Sequence, residues 1–108
     1  MNAGSPSGGV KVARDGALWV MWGEVDFSVT HQVRDELAAT LDGRPKTIDL
    51  SEVTFMDSSG LHLILMKVTP ETRPRLVGTP EAVLELLEIS GARELVELVD
   101  DQPPEETS

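Results

Sequence analysis

The order of patterns along this 108-residue chain predicts an α/β fold, with a mixed but mainly parallel sheet of about five strands packed with three or four helices. Short apolar or alternating segments recur between segments whose apolar residues repeat at helical spacing, in the order ββαβαβαβ. Glycine and proline separate these segments. Strands that alternate with helices pair in parallel through right-handed crossovers, so we expect one continuous sheet.

The first two strands are predicted to form a hairpin. Val10 and Val12 alternate with their neighbours as in a short edge strand, and Asp-Gly within Arg14–Gly16 is a hairpin-turn signal. Residues 18–22 are almost wholly apolar, which is typical of a strand buried on both faces or under a helix. Both tryptophans lie in this segment and are expected to pack in the core and at the strand end.

The first helix is predicted to begin near Ser28 and to stop at Asp42-Gly43. Its apolar residues fall on one stripe of a helical wheel: Val29, Val33, Leu37 and Leu41. A strand over residues 46–50 follows. The chain then reaches Asp57-Ser58-Ser59-Gly60, where the strand pattern changes to a helical one.

The second helix is predicted to end near Val68, because Pro70 disfavours helical geometry just before it. The third helix is predicted to start with Thr79 as its N-cap and Pro80 at its first position, and to end at Gly91. Strands over residues 75–78 and 95–99 flank it. The domain is thus expected to span residues 10–99, between a disordered segment 1–9 and an acidic disordered tail 100–108.

Composition excludes several classes of function. The formal charge is −10, and an acidic body argues against nucleic-acid binding, which needs clustered Lys and Arg. No apolar run approaches the length of a membrane span, and the N-terminus lacks the features of a signal peptide, so we expect a cytoplasmic protein. With no cysteine, and with His31 and His62 on different elements, we expect neither a metal site nor a cofactor.

The stretch around Ser58 places three capping-type side chains and a glycine where a strand leads into a helix. The first turn of a helix has unpaired backbone N–H groups and the positive end of the helix dipole. Ser58 is therefore placed either to cap the helix or to carry a phosphate. Ser59 could instead be the true cap or a secondary acceptor, and Asp26 could be a cap or a partner contact.

The predicted second helix has apolar residues on two sides of its wheel. Leu61, Ile64, Leu65 and Val68 form one face, whereas Leu63 and Met66 point roughly the other way. Either the helix is buried on more than one side, or Leu63 and Met66 form an exposed patch for a partner just past Ser58.

Three motifs together resemble the STAS-domain anti-sigma factor antagonists. FMDSSGL at residues 55–61 is the most specific, and GEVD and LLEISGA lie about 30 residues before and after it, in the family's order. The resemblance implies that Ser58 is the phosphorylated serine. It implies that the unphosphorylated form binds an anti-sigma factor that is also a serine kinase, which frees a sigma factor. A PP2C-type phosphatase would reverse the phosphorylation.

The resemblance also implies that Asp26, Asp57, Ser58 and Ser59 lie together on one surface. With the neighbouring Gly60, His62, Leu63 and Met66, they are the expected partner-binding residues. We expect a non-enzymatic monomer or weak homodimer that acts in transcription regulation and the stress response. His62 and the short segment 69–74 depart from the family's usual pattern, and both lie near this surface.

Two other functions are compatible with the motif. The chain could be an accessory STAS subunit of a transport or stressosome-like complex, with no phosphorylation. It could also be a small hydrolase built on Ser58 and His62, which lie one helical turn apart. The sequence has no segment resembling the oxyanion hole or the nucleophile elbow that such a hydrolase would need.

Overall fold

The structure, a computed structural model, describes residues 8–99. Its strands are β1 (Gly8–Ala13), β2 (Leu18–Val25), β3 (Thr47–Met56), β4 (Arg75–Val77) and β5 (Glu97–Val99). Its helices are α1 (Phe27–Ala38), α2 (Ser58–Ile64) and α3 (Glu81–Ser90), with short 3-10 turns at Arg14–Gly16 and Arg93–Leu95. The predicted order ββαβαβαβ is confirmed.

The five strands form one sheet in which spatial order follows chain order. β1 is antiparallel to β2, and the other neighbours are parallel. Since every right-handed crossover then steps in the same direction, the three helices lie on one face of the sheet. α2 contacts both α1 and α3, as this arrangement requires. The predicted mixed, mainly parallel α/β sheet is confirmed.

The core lies between the sheet and this helical layer. Trp19, Ile48 and Leu76 are paired across β2, β3 and β4 and are at most 1% exposed. The helices contribute Val29, Leu37, Leu63, Val83 and Leu87. The opposite face of the sheet is open, since Trp22 and Phe55 are 41% and 48% exposed. β2 is therefore buried under helices on one face and not on both.

Strand β1 begins earlier than predicted. Gly8 and Gly9 pair with Gly23 and Trp22, so the predicted disordered segment 1–9 is wrong at these two residues. A Cβ atom on Gly9 would lie 2.5 Å from the Trp22 ring, and glycine allows the indole to lie across the strand. Residues 1–7 and the predicted tail 100–108 lie outside the described residues.

Strand β3 is six residues longer at its end than the predicted segment 46–50. Its pairing with β2 shifts register between Val20 and Trp22 and again between Gly23 and Glu24. Such bulges place two residues of one strand opposite one of the other, which interrupts the alternation of buried and exposed side chains. The alternating pattern in the sequence therefore stops before β3 ends, and the predicted strand was too short.

Three predicted helix boundaries are wrong. α1 ends at Ala38, four residues before the predicted stop at Asp42-Gly43. α2 ends at Ile64 rather than near Val68, because the chain turns sharply and Lys67 adopts a left-handed φ of 53°. At α3 the N-cap is Pro80, in an extended conformation, and no side chain caps the helix. Thr79 is one residue too early, and its hydroxyl oxygen is buried without a hydrogen-bond partner among residues 8–99. β5 also starts two residues later than the predicted strand 95–99, because Arg93–Leu95 forms a 3-10 turn.

Candidate functional site

The candidate site lies where β2 and β3 end and α1 and α2 begin. The last residues of the two strands, Val25 and Met56, are paired in the parallel register. The backbone N–H of Asp57 extends this ladder by donating to the carbonyl oxygen of Val25 over 3.4 Å. The two strand-to-helix junctions are therefore neighbours at one edge of the sheet, which we call the carboxyl edge.

Asp57 is the N-cap of α2. Its Oδ1 atom accepts hydrogen bonds from the backbone N–H of Ser59 at 2.9 Å and of Gly60 at 3.3 Å. The Ser59 hydroxyl also donates to this oxygen, at 2.5 Å. A carboxylate here satisfies backbone donors that the helix leaves unpaired. The hypotheses that Ser58 or Ser59 caps the helix are therefore wrong.

The two serines of the motif differ in what their hydroxyl groups can do. The Ser59 hydroxyl is half-buried and donates its proton to Asp57. Ser58 is the first residue of α2 and is exposed, and its hydroxyl makes no hydrogen bond within residues 8–99. Of the two, Ser58 presents the hydroxyl that a modifying enzyme can reach.

Gly60 brings α2 against the sheet. It is buried, and a Cβ atom there would lie 2.6 Å from Cγ of Met56 and 2.9 Å from the carbonyl oxygen of Val25. Real Cβ atoms essentially never approach other atoms within 3.0 Å. Gly60 is thus a packing residue, and its predicted contact with a partner is wrong.

Asp26 caps α1 in the same way. Its Oδ1 atom accepts from the Ser28 backbone N–H at 3.0 Å, the Ser28 hydroxyl at 2.7 Å and the Val29 backbone N–H at 3.4 Å. The Ser28 hydroxyl, together with the two backbone N–H groups, holds the pKa of the Asp26 carboxyl below its usual value. Of the two roles considered for Asp26, the cap is the one observed.

Phe27 is a candidate that the sequence analysis missed. It holds in α1 the position that Ser58 holds in α2, and it is 65% exposed. Its ring stacks on the imidazole of His31, with centroids 5.3 Å apart. A large aromatic residue directly after a capping aspartate was the available signal.

The predicted patch on the far side of α2 does not exist. Leu63 is fully buried, with 0% exposure, because α2 is held between α1, α3 and β3. Met66 lies beyond the end of α2, is half-buried and lines a cavity at the opposite edge of the sheet. Leu63 therefore cannot contact a partner, and Met66 lies away from Ser58. His62 is exposed and remains accessible.

The geometry agrees with a comparison with known protein families. The family model described as "Mlab, STAS domain" matches residues 20–99, which include both capped junctions. The chain belongs to the STAS-domain family. STAS domains of this kind are non-enzymatic binding modules.

A solved structure shares the fold of this STAS domain. It is titled "Structure of the Anti-Sigma Factor Antagonist SpoIIAA in its Unphosphorylated Form" and superposes with a TM-score of 0.58. The match covers 86% of this chain and 87% of the other, at 16% sequence identity. At this identity the likeness establishes the fold. No curated protein matches the chain in the comparison of sequences.

The carboxyl edge of this STAS domain is acidic. Glu24, Asp26 and Asp57 lie at or next to the strand ends, and none belongs to the three ion pairs found among residues 8–99. In the same part of the chain no hydrogen bond joins Ser58 to His62, so the pairing that a serine nucleophile needs is not formed.

No cluster of three or more His, Cys, Asp or Glu residues suited to holding a metal ion occurs between residues 8 and 99. None of the three helices described there has the length and apolar character needed to cross a bilayer.

Proposed function

We propose that this STAS domain is an anti-sigma factor antagonist. In its unphosphorylated form it binds an anti-sigma factor that is also a serine kinase, and a sigma factor is released to act in transcription. The kinase phosphorylates Ser58, which ends the complex, and a PP2C-type phosphatase restores the binding form. These partners place the protein in the cytoplasm.

The observation that carries the proposal is the contrast between the two serine hydroxyls. Ser58 is exposed and its hydroxyl has no hydrogen-bond partner within residues 8–99, whereas Ser59 donates to Asp57. The Asp57 cap holds the backbone at the start of α2, so Ser58 is presented in one defined conformation. A fixed, accessible hydroxyl is what a protein kinase needs.

The energetics suit a binding switch. A phosphate on Ser58 adds about −1.5 to −2 charges at neutral pH. The N–H groups of the helix favour this charge by roughly 0.3–1 kcal/mol, whereas Asp57 and Asp26 repel it. These opposing effects are of similar size, so the free energy of unfolding should change little. A phosphate buried in an interface that was packed around a small hydroxyl, without a partner that fits it, costs several kcal/mol, so the complex should dissociate.

The same surface indicates the chemistry of the partner. Around Ser58 it presents the carboxylates of Asp26 and Asp57, the exposed His62 and the 65% exposed ring of Phe27. A complementary surface would carry basic side chains and an apolar recess for the ring. An added phosphate would weaken such a contact because its bulk and its hydration do not fit a surface packed against the small hydroxyl of Ser58.

The proposal is tested by phosphorylation with the cognate anti-sigma kinase and ATP, followed by mapping of the modified residue by mass spectrometry. We expect phosphate on Ser58 in the natural chain and in Ser59→Ala, and none in Ser58→Ala. Ser59→Ala is the matched control, because it removes the neighbouring hydroxyl. An active kinase that leaves Ser58 unmodified would refute the switch.

A second candidate is an accessory STAS subunit of a transport or stressosome-like complex. The exposed Trp22 and Phe55 on the open face of the sheet favour it, because a permanent interface could cover them. This function predicts a stable complex whose affinity is unchanged in Ser58→Asp. The two candidates therefore differ in one binding measurement.

A further inference from the structure

A cavity of about 250 Å³ lies at the edge of the sheet opposite Ser58. It opens between the beginnings of β2 and β3, the chain that follows α1 and the chain that follows α2. Trp19, Leu41 and Met66 contribute to its apolar wall, and Arg44, Lys46 and Lys67 contribute cations. We call it the amino-edge cavity.

Lys46 is the unusual member of this lining. It is only 6% exposed, and burial of an ammonium group is costly unless its charge and its donors are satisfied. Its Nζ atom lies 3.2 Å from Oδ1 of Asp42, its one hydrogen-bond acceptor among residues 8–99. An ammonium group has three N–H donors, so two remain for a ligand.

The charge of the cavity also departs from that of the chain. The chain carries −10, yet three of its nine Lys and Arg residues line this cavity, and no acidic residue does. Asp42 pairs with Lys46 from outside the lining and is itself 52% exposed. The cavity therefore combines a positive potential with apolar walls, which favours an anion that has an apolar body.

We propose that the amino-edge cavity binds a small organic carboxylate with an apolar body of about seven carbons. An engineered apolar cavity of about 150 Å³ holds a benzene molecule, so this larger one has room for such a chain. The carboxylate would receive the two free N–H donors of Lys46, with Arg44 and Lys67 at the mouth, and the hydrocarbon would lie against Trp19 and Leu41. The proposal does not depend on phosphorylation of Ser58.

Octanoate is the probe for the test, and the fluorescence of Trp19 is the readout. The chain has two tryptophans, so Trp22→Phe on the open face of the sheet leaves Trp19 as the only indole. We expect a saturable change in its emission with a Kd on the order of 1 mM or tighter, as a ligand of ten non-hydrogen atoms can achieve. In spectra of the ¹⁵N-labelled chain, the amides of Leu41, Met66 and Lys67 should shift in parallel.

The variants and comparison ligands isolate the charge. In the Trp22→Phe background, Lys46→Met should weaken octanoate binding at least about tenfold, since it removes the charge-assisted donor while keeping a similar shape. Lys11→Met, on the exposed face of β1, is the matched control and should leave the Kd unchanged. 1-Octanol, which has the same number of carbons and no charge, should bind at least about tenfold more weakly than octanoate.

Three results would overturn the proposal: no saturable response to octanoate, equal affinity for octanoate and 1-octanol, or an equal response to inorganic phosphate alone. If Lys46→Met does not fold, as judged by circular dichroism, Arg44→Gln takes its place. Arg44 is exposed, so this change should not disturb folding, and unchanged octanoate affinity in Arg44→Gln would then count against the site.

Discussion

The junctions β2–α1 and β3–α2 share one capping geometry and differ in the residues it presents. In each, an aspartate accepts from the backbone N–H groups two and three residues later and from the hydroxyl of a serine two residues later. The first helical residue is Phe27 in one and Ser58 in the other, and both are exposed. The aspartate cap thus determines how the chain turns from strand to helix. The exposed first helical residue, Phe27 or Ser58, determines which chemical group the junction presents.

The junctions also differ at the third helical residue. Val29 in α1 is 1% exposed and fills the core, whereas Gly60 in α2 allows the helix to approach Met56 and the backbone of Val25. α2 is therefore held closer to the neighbouring strand than a side chain would allow. This difference makes Ser58 part of a tightly packed junction.

The largest effect on partner binding is expected from a change at the Ser58 hydroxyl. Ser58→Asp should weaken binding to the proposed anti-sigma kinase by several kcal/mol, which is about a hundredfold or more, because it buries a larger charged side chain where the interface is packed around a small hydroxyl. Isothermal titration calorimetry would measure the affinity. Ser90→Asp, at the far end of α3, adds the same charge and should bind normally. Equal affinities for the two variants would contradict the proposed switch.

The packing difference should appear in stability. Gly60→Ala should lower the free energy of unfolding by about 1–3 kcal/mol, because the added Cβ atom overlaps with Met56 and the Val25 carbonyl. Urea denaturation followed by circular dichroism would measure it. Ser58→Ala, two residues earlier and exposed, should change stability by no more than about 0.5 kcal/mol. A Gly60→Ala variant as stable as Ser58→Ala would show that α2 can move away from the sheet without loss.

The shared cap can be tested at Asp57. Asp57→Ala leaves the backbone N–H groups of Ser59 and Gly60 without their acceptor and should destabilise the fold by about 1 kcal/mol. The chemical denaturation midpoint is the measurement, with Asp57→Asn as the control, since asparagine also caps helices well. If both variants lose the same stability, the negative charge of Asp57 is what matters rather than its capping oxygen.

The smallest effect concerns pH. The pKa of Asp26 is lowered in the folded state, mainly by the Ser28 hydroxyl, so the unfolded chain binds the proton more readily. Its contribution to stability is therefore complete above the usual pKa of 3.8 and is lost as the pH falls through the lowered value. Asp26→Asn should make the free energy of unfolding less steep in pH below about 4. An unchanged slope would mean that the Ser28 hydrogen bond does not persist in solution.

Periodicity and turn chemistry carried the prediction of the fold. Alternating patterns, capping residues and Gly or Pro breaks yielded the order of elements, and the crossover rule then yielded a mainly parallel sheet. The predicted start near Ser28 and the Asp57–Gly60 step also placed the starts of α1 and α2 within a residue. The end of β3 and the start of α3 were less accessible, because bulges and a one-residue shift at Pro80 leave little trace in a local pattern.

The exposure of the α2 side chains could not be predicted from the sequence. A wheel reveals that Leu63 and Leu61 point in different directions, but it does not reveal what covers each side. Leu63 is buried because α2 lies between α1 and α3 above β3, and those contacts join residues far apart in the chain. Exposure depends on neighbours that only the assembled helical layer provides.

The sequence by itself determined the class of fold and the serine-rich start of α2, because these depend on local backbone preferences. It left the cap of α2 to the wrong residues, and it left Asp26 open between a cap and a partner contact. The structure also settled a local choice that the sequence left open, because the Ser59 hydroxyl donates to Asp57 and the Ser58 hydroxyl has no partner within residues 8–99. Only the tertiary structure decided that Gly60 seats α2 on the neighbouring strand. It alone gathered Arg44, Lys46 and Lys67 around one cavity. Gly60 and the cavity depend on contacts between elements that are distant in the sequence. No single segment of the chain therefore reveals them.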